Sequence, residues 1–225
     1  MINLSKRLKK IADLVDDNSS LVDIGCDHGL LDIYLVQTKN NIKVIASDIN
    51  KNALGNAIRN IEKYKLGDTI ETVISNGLDS IDVTNLDTIV ISGMGTHTIV
   101  GILYNNIKKL KKIDTLIIQS NNDIDFLRYK VNKLGYKIVD EALVEDAGII
   151  YTVIKFKKGF AIYSRKQLYF GPILLKQKDK LFIKRNKQEL KKMEKFYPMI
   201  PKSHYHHRVK TYWKIRILIK ILSQK

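Results

Sequence analysis

The chain has 225 residues, of which 44% are apolar and 28% charged, with one cysteine, twelve glycines and three prolines. This composition excludes a disordered chain, a collagen-like or Pro/Gly-rich repeat, an internal disulfide framework and a cysteine-based zinc knuckle. The length allows one full domain and a small second element, and not three domains. The N-terminal stretch MINLSKRLKKIADLV is amphipathic and lacks the apolar segment of a secretory signal. No apolar run is long enough for a membrane span, so a cytoplasmic, non-membrane protein is expected.

The net charge of +16 is unevenly spread. Residues 1–154 hold 18 Lys and Arg against 20 Asp and Glu, whereas residues 155–225 hold 21 against three, namely Asp179, Glu189 and Glu194. A near-neutral domain followed by a strongly basic element points to a polyanion, a nucleic acid first of all. A Lys-rich proteome explains the preference for Lys over Arg, but not the segregation of the acids.

In chain order, apolar residues at helical spacing between Ile2 and Val15 predict a first helix. Ser20–Ile24 is a short apolar strand that ends in a glycine cluster, and a helix through Leu30–Val36 follows. Lys43–Ser47 is the second strand, and a helix from Lys51 to about Tyr64 follows, with Asn50 as its N-cap. Glu71–Ser75 is the third strand. Thr88–Ser92 is the fourth, β-branched and apolar as a strand buried on both faces should be. Thr96–Lys109 reads as a helix, Thr115–Gln119 as the fifth strand, and Asp123–Leu134 as a helix. Tyr136–Val144 and Ile149–Phe156 close the series, joined by the short turn Glu145-Asp146-Ala147-Gly148 of an antiparallel hairpin.

Strands separated by helices of this length form a parallel sheet. The expected fold is α/β, a doubly wound Rossmann-like sheet of seven strands with its last hairpin antiparallel, over residues 1–158. Residues 159–225 are expected to form a basic, coiled-coil-like helical hairpin. Its helices cover 173–197 (Leu174, Leu181, Leu190, Met193) and 203–222 (Val209, Trp213, Arg216, Ile217), with the turn at Pro198-Met199-Ile200-Pro201-Lys202. The exposed positions Lys184, Arg185, Lys192, Arg208 and Lys210 are candidate phosphate contacts. Tyr205, Tyr212 and Trp213 have two readings, stacking on RNA or packing the hairpin, and the second is favoured.

The chemistry gathers in the turns that follow the strands. Asp23-Ile24-Gly25-Cys26-Asp27-His28-Gly29 follows a strand and opens a helix, the place where a doubly wound fold takes a nucleotide-like ligand. Asp48 ends the next strand, where a carboxylate can accept both ribose hydroxyls, with Ile49 beside it. The spacing is not that of a dinucleotide binder, and Asp23 and Asp27 would repel a pyrophosphate. S-adenosylmethionine fits better, because Asp23 or Asp27 can receive its ammonium and Asp48 its ribose. Asn76-Gly77-Leu78 is placed to face the adenine, although Asn-Gly also favours a plain turn. Ser92-Gly93-Met94 lies beside the methyl donor, and Gly95, Thr96, Gln119 and Asn121 form the rim where the target base would enter. The Asn/Asp-Pro-Pro-aromatic tetrapeptide of many amino-group methyltransferases is missing here, which favours a ring nitrogen as acceptor. Cys26 reads as a small buried hydrophobe, and His204-Tyr205-His206-His207 lacks the companions of a metal site, so no metal is expected. His97 sits in the first turn after Thr96.

Taken with Leu4-Ser5-Lys6-Arg7-Leu8 and Glu145-Asp146-Ala147-Gly148-Ile149-Ile150-Tyr151, the Asp-Ile-Gly-Cys-Asp-His-Gly, Asn-Gly-Leu and Ser-Gly-Met-Gly blocks resemble the bacterial tRNA (adenine(22)-N1)-methyltransferase family. The resemblance implies a class I methyltransferase domain, S-adenosylmethionine as donor, N1 of adenosine 22 in the tRNA D-arm as acceptor, and a coiled-coil C-terminal domain that helps grip tRNA. The chain departs from the family's usual pattern at Asp32, Asn76, Thr96 and Ser120, where proline, aspartate, glycine and proline are usual. Within this reading Asp27 is the first choice to stabilise the charge that grows on the base, and His28 to position it or take up a proton. A monomer is expected, because the two tail helices can pair with each other. The rivals are a class I methyltransferase for another RNA position, a nicotinamide-dependent dehydrogenase, and a non-catalytic RNA-binding protein on the same fold.

Overall fold

The computed structural model describes residues 2–223. It separates two compact units, residues 1–175 and 176–225.

The first unit carries one sheet of seven strands: β1 (Ser20–Ile24), β2 (Lys43–Asp48), β3 (Ile70–Ile74), β4 (Thr88–Met94), β5 (Thr115–Ser120), β6 (Tyr136–Asp146) and β7 (Ile149–Lys158). Their order is β3-β2-β1-β4-β5-β7-β6. The first five run parallel, and β7 pairs antiparallel with both β5 and β6. This is the expected doubly wound sheet with its antiparallel edge hairpin.

Burial alternates along the central strands as a two-faced core requires. Ile89 and Ile91 of β4 and Leu116 and Ile118 of β5 join one core, while Val90 and Ile117 join the other. The first of these cores is completed by α4 (Thr96–Asn105) and α6 (Ile124–Lys133), through Ile99, Leu103, Leu127 and Val131. The second is completed by α1 (Lys6–Leu14), α2 (Leu30–Thr38) and α3 (Lys51–Lys63). Ser5 caps α1 by accepting from Leu8 N–H, and Asn50 caps α3 as the sequence indicated, accepting from Asn52 N–H and Ala53 N–H. The helix expected over 96–109 is interrupted at Asn106, and a short α5 (Ile107–Leu110) follows.

The chain winds outward from β1 to β3, returns to β4 and continues the other way. The β1–β4 junction is therefore the topological switch point, and the crevice beyond the carboxyl ends of these strands is the ligand position of such a sheet.

The sequence placed the end of the sheet domain at Lys158, but the first unit runs on to residue 175. The physical reason is a buried ion pair. Arg128 Nε donates to Glu141 Oε1 at 2.6 Å, and both side chains are fully buried. Arg128 Nη1 also donates to the carbonyls of Leu168 and Tyr169, and Glu141 Oε2 accepts from Ile173 N–H. The short helix α7 (Arg165–Phe170), missed in the sequence, is thereby held to the sheet domain. Gly171 lies where a Cβ would stand 2.6–2.8 Å from both charged groups, and its φ of +93° also favours glycine.

The second unit consists mainly of α9 (Lys180–Phe196) and α10 (Tyr205–Ser223), packed on each other around Phe182, Ile215, Leu218 and Ile221; the short α8 (Leu174–Gln177) straddles the boundary between the units. The helix expected from 173 to 197 is broken at Lys178, which has a φ of +45°, and Asp179 then caps α9 by accepting from Phe182 N–H. The packing positions on α10 also differ from the expected ones. Thr211, Ile215, Leu218 and Ile221 are buried, whereas Val209, Trp213 and Arg216 are exposed.

Candidate active site at the sheet's carboxyl edge

At the end of β1 the chain turns sharply through Gly25, whose φ is +80°, and Gly25 and Cys26 both donate backbone N–H to the carbonyl of Ser47. A side chain on Gly25 would collide with the Met94 methyl, so this glycine is what lets the β1 turn and the β4 turn lie against each other. Gly29 opens α2 and closes on Ala57 of α3, where an added Cβ would stand 3.1 Å from that residue's Cβ.

Asp23 is buried, and its Oδ1 has no partner among the described residues. Burial, with the Asp48 carboxylate adding to it, pushes its pKa up to about 7. Asp32 on α2 is fully buried with both carboxylate oxygens unpartnered, and burial together with Asp23 pushes its pKa up as well. Cys26 is buried beside these acids. Desolvation first, then Asp32, Asp23 and Asp48, push its thiol up, so it is no nucleophile.

Asp48 reaches across the β1 turn. Its Oδ2 accepts from Asp27 N–H at 3.2 Å and its Oδ1 from Asn50 N–H at 2.8 Å. Each oxygen keeps a lone pair for a further donor such as a hydroxyl. Ile49, beside it, is an exposed apolar surface. Asp27 and His28 project from the turn with mostly open side chains, His28 Nε2 lying 3.7 Å from Asp27 Oδ2, and Asn60 steadies the turn by donating to the His28 carbonyl. Asn76 is exposed and donates to Asp79, and Gly77 packs against Ile102 of α4. Leu78 differs from its expected role. Its side chain is fully buried in the core and its carbonyl accepts from Lys109 Nζ, so it is a packing residue.

The rim beyond β4 and β5 is a closed hydrogen-bonded ring. Gln119 Oε1 accepts from Gly93 N–H at 3.1 Å and from Arg7 Nη1 at 2.6 Å. Gln119 Nε2 donates to Asn121 Oδ1, and Asn121 Nδ2 donates back to the Gly93 carbonyl at 2.7 Å. The ring pins the bulge between Ser92 and Met94, where the β4–β5 register slips. Gly95 caps α4. Thr96 is a correction. It is fully buried, and its hydroxyl bonds with Ser120 Oγ and donates to the Asn122 carbonyl, so it braces the two turns instead of lining the rim. The two departures noted at Thr96 and Ser120 are therefore one contact.

Arg7 was not singled out as a site residue. Its guanidinium lies 5.5 Å from the Tyr151 ring centroid, and its backbone N–H donates to Asp146 Oδ2. The signal was there in the Leu-Ser-Lys-Arg-Leu and Ile-Ile-Tyr blocks, but nothing in their spacing says that chain positions 7, 119 and 151 meet. His97 is exposed and stacks on Phe126 at 5.3 Å between ring centroids, apart from the ring described above. In the second unit Lys184, Lys192 and Lys210 are exposed, Arg185 lies over Phe182, and Arg208 over Tyr197. Among the described residues no group of three or more His, Cys, Asp or Glu is placed to hold a metal ion, and no helix is long and apolar enough to cross a membrane.

A seven-stranded sheet of this order, with its acidic glycine turn at the switch point and a carboxylate closing the second strand, defines a class I methyltransferase. The family model described as tRNA (adenine(22)-N(1))-methyltransferase matches residues 21–221. The curated tRNA (adenine(22)-N(1))-methyltransferase of Bacillus subtilis is 32% identical over 205 residues, 88% of this chain and 86% of its own. The crystal structure of the Streptococcus pneumoniae putative tRNA (m1A22) methyltransferase in complex with S-adenosyl-L-methionine superposes with a TM-score of 0.89 at 31% identity, over 99% of this chain and 100% of that one. The M. capricolum enzyme in complex with S-adenosyl-homocysteine gives a TM-score of 0.85 at 31% identity, over 97% and 99% of the two chains. The chain belongs to the tRNA (adenine(22)-N(1))-methyltransferase family, whose reaction is methylation of N1 of adenosine 22 in tRNA.

Proposed function

We propose that this chain carries out the family reaction with S-adenosylmethionine held across the β1, β2 and β3 turns, and with the target adenine presented to Asp27 and His28. The observation that carries the assignment is the unpartnered, buried Asp23 Oδ1 beneath the glycine turn, within electrostatic reach of Asp48. A buried acceptor without a protein donor is costly unless a ligand completes it, and an ammonium is the matching group. Asp48 is placed for the ribose hydroxyls, Ile49 for one face of the adenine ring, and Asn76 and Gly77 for its edge. When bound, the cofactor supplies an electrophilic methyl group on a sulfonium.

The chain's own residues then have two tasks. N1 of adenine carries a lone pair and no proton, so no base must act before attack, and orientation of the two reactants is the larger part of catalysis. The Gly93–Gln119–Asn121 ring with Arg7 holds the rim in a fixed shape for that purpose. The product base is a cation, and the exposed Asp27 carboxylate can stabilise that charge as it develops. His28, 3.7 Å from it, positions the base from the same turn. N1 lies on the pairing edge, so the nucleotide must leave any helix before it reacts, and the basic second unit supplies phosphate contacts that hold the RNA around it. Its candidates are Lys184, Arg185, Lys192, Arg208 and Lys210. The working form is taken to be a monomer.

Asp27→Asn tests the assignment. It should lower kcat for tRNA methylation about 100-fold, with cofactor affinity measured by calorimetry unchanged. Full turnover in this variant would remove Asp27 from the mechanism.

A further inference from the structure

Helix α10 carries two apolar stripes, and only one of them is used by the hairpin. At about 100° per residue, Thr211, Ile215, Leu218 and Ile221 share one face, and this face is buried. Tyr205, Val209, Tyr212 and Trp213 share the opposite face, and this one is exposed: 69% for Tyr205 and 63% for Trp213. Tyr205 and Trp213 therefore do not pack the hairpin, which was the favoured reading of the sequence, whereas Tyr212 still meets Tyr197 across it. With Tyr197 and Arg208 they line an open hollow of about 340 Å³.

The hollow is partly built in advance. Arg208 lies with its guanidinium 4.6 Å from the Tyr197 ring centroid, and its Nη1 donates to the Ile200 carbonyl at 2.6 Å. The Tyr197 and Tyr212 rings are 6.2 Å apart, tilted by 43°. Arg208 lines the hollow, Arg216 and Lys220 follow on the same face of α10, and the helix carries no acid at all.

We propose that this face of α10 is a stacking platform for unpaired bases of the tRNA. The inference rests on tRNA being the substrate and adds a second kind of contact to the phosphate grip. Rings flanked by cations are the chemistry that binds single-stranded nucleic acid, because every base offers a π-face and every nucleotide a negative charge. Paired bases hide their faces inside a helix, so the platform selects loops or splayed nucleotides. A second copy of this chain is a poorer occupant, because its own face carries the same cations and the two would repel.

Trp213 is the chain's single tryptophan, so its fluorescence reports on this face directly in the unmodified full-length protein. Titration with an unmodified tRNA transcript should quench the Trp213 emission, saturating at the concentrations that saturate methylation. Trp213→Ala should raise the KM for tRNA about 5- to 100-fold with kcat and cofactor affinity unchanged, and Trp213→Phe should recover most of the loss. Its salt dependence should match that of the parent, because stacking releases no counterions. Unchanged emission in a protein that still binds and methylates tRNA would overturn the platform and leave the tRNA reading intact. A protein that neither binds nor methylates tRNA would overturn both. Emission that shifts with protein concentration alone, together with a dimer mass in sedimentation, would assign the face to a second copy and overturn the proposal.

Discussion

In residues 1–175 the active-site turn with Asp27 and His28 is open, but it rests on polar groups that are hidden. Asp23 and Asp32 sit buried beneath the glycine turn, and Arg128 and Glu141 form a fully buried pair. In residues 176–225 the arrangement is reversed: the sequence has 16 Lys and Arg against three acids, and those among the described residues lie mostly in solvent, with aromatic rings exposed among them. Burial makes each group in the first unit individually decisive, because an unpaired charge in a low dielectric has no water to fall back on. Exposure makes each cation in the second unit dispensable and their sum important, because phosphate contacts add in small, salt-screened steps. Chemistry that needs one fixed geometry belongs in the first setting, and grip on a long flexible polyanion belongs in the second.

The sharpest way to break this contrast is at the buried pair. Glu141→Ala leaves Arg128 uncompensated and should destabilise the first unit by about 3–5 kcal/mol, read as a lowered midpoint in urea. The double change Arg128→Met with Glu141→Leu should recover most of that. A loss below 1 kcal/mol for the single variant would show that water reaches the pair. Next in size is Arg7→Ala, which frees the Gln119–Gly93 ring. It should lower kcat about 10- to 100-fold with little change in the KM for S-adenosylmethionine. An unchanged kcat would mean that the ring keeps its shape without the guanidinium.

Asp23 sharpens the contrast through pH. Its pKa near 7 in the ligand-free protein means that the folded chain holds a proton that the unfolded chain has released above the ordinary carboxylate range. The folded state then binds more protons, so the stability owed to this group falls as pH rises from about 4 to about 7 and levels off above. Cofactor binding runs the other way, since an ammonium needs the carboxylate charged. Affinity for S-adenosylmethionine should drop up to about tenfold per unit below pH 7, and calorimetry in two buffers should register proton release. Asp23→Asn should bind weakly and without that slope. The smallest expected effect is in the second unit: Lys184→Ala, Lys192→Ala or Lys210→Ala should each lower the slope of log affinity for tRNA against log salt by less than about one. A single lysine that abolished binding would contradict the distributed grip.

The frame of this contrast was legible before the structure, and its decisive contacts were not. The β-branched run at 88–92, the capping Asn50 and the glycine turns are local signals, and the sheet formed where they indicated. The charge asymmetry at residue 154 likewise survives as a property of the second unit. Long-range pairs left no local trace. Nothing local in the sequence couples Arg128 and Glu141 to each other or to residues 168–173, so the domain boundary was drawn at 158 and α7 was missed. Thr96 and Leu78 sit in the right turns, but turn position does not tell which side chain points inward. On α10 the residues at 209, 213 and 216 keep helical spacing as well as those at 211, 215 and 218 do. Periodicity alone cannot rank two stripes on one helix, and the exposed one was chosen.

The most direct test of the account uses labelled S-adenosylmethionine and two unmodified tRNA transcripts, one with adenosine at position 22 and its twin with guanosine there, with the product nucleoside identified by mass spectrometry. The account predicts 1-methyladenosine from the first transcript and no label in the second. Equal label in both, or label on another nucleoside, would contradict it.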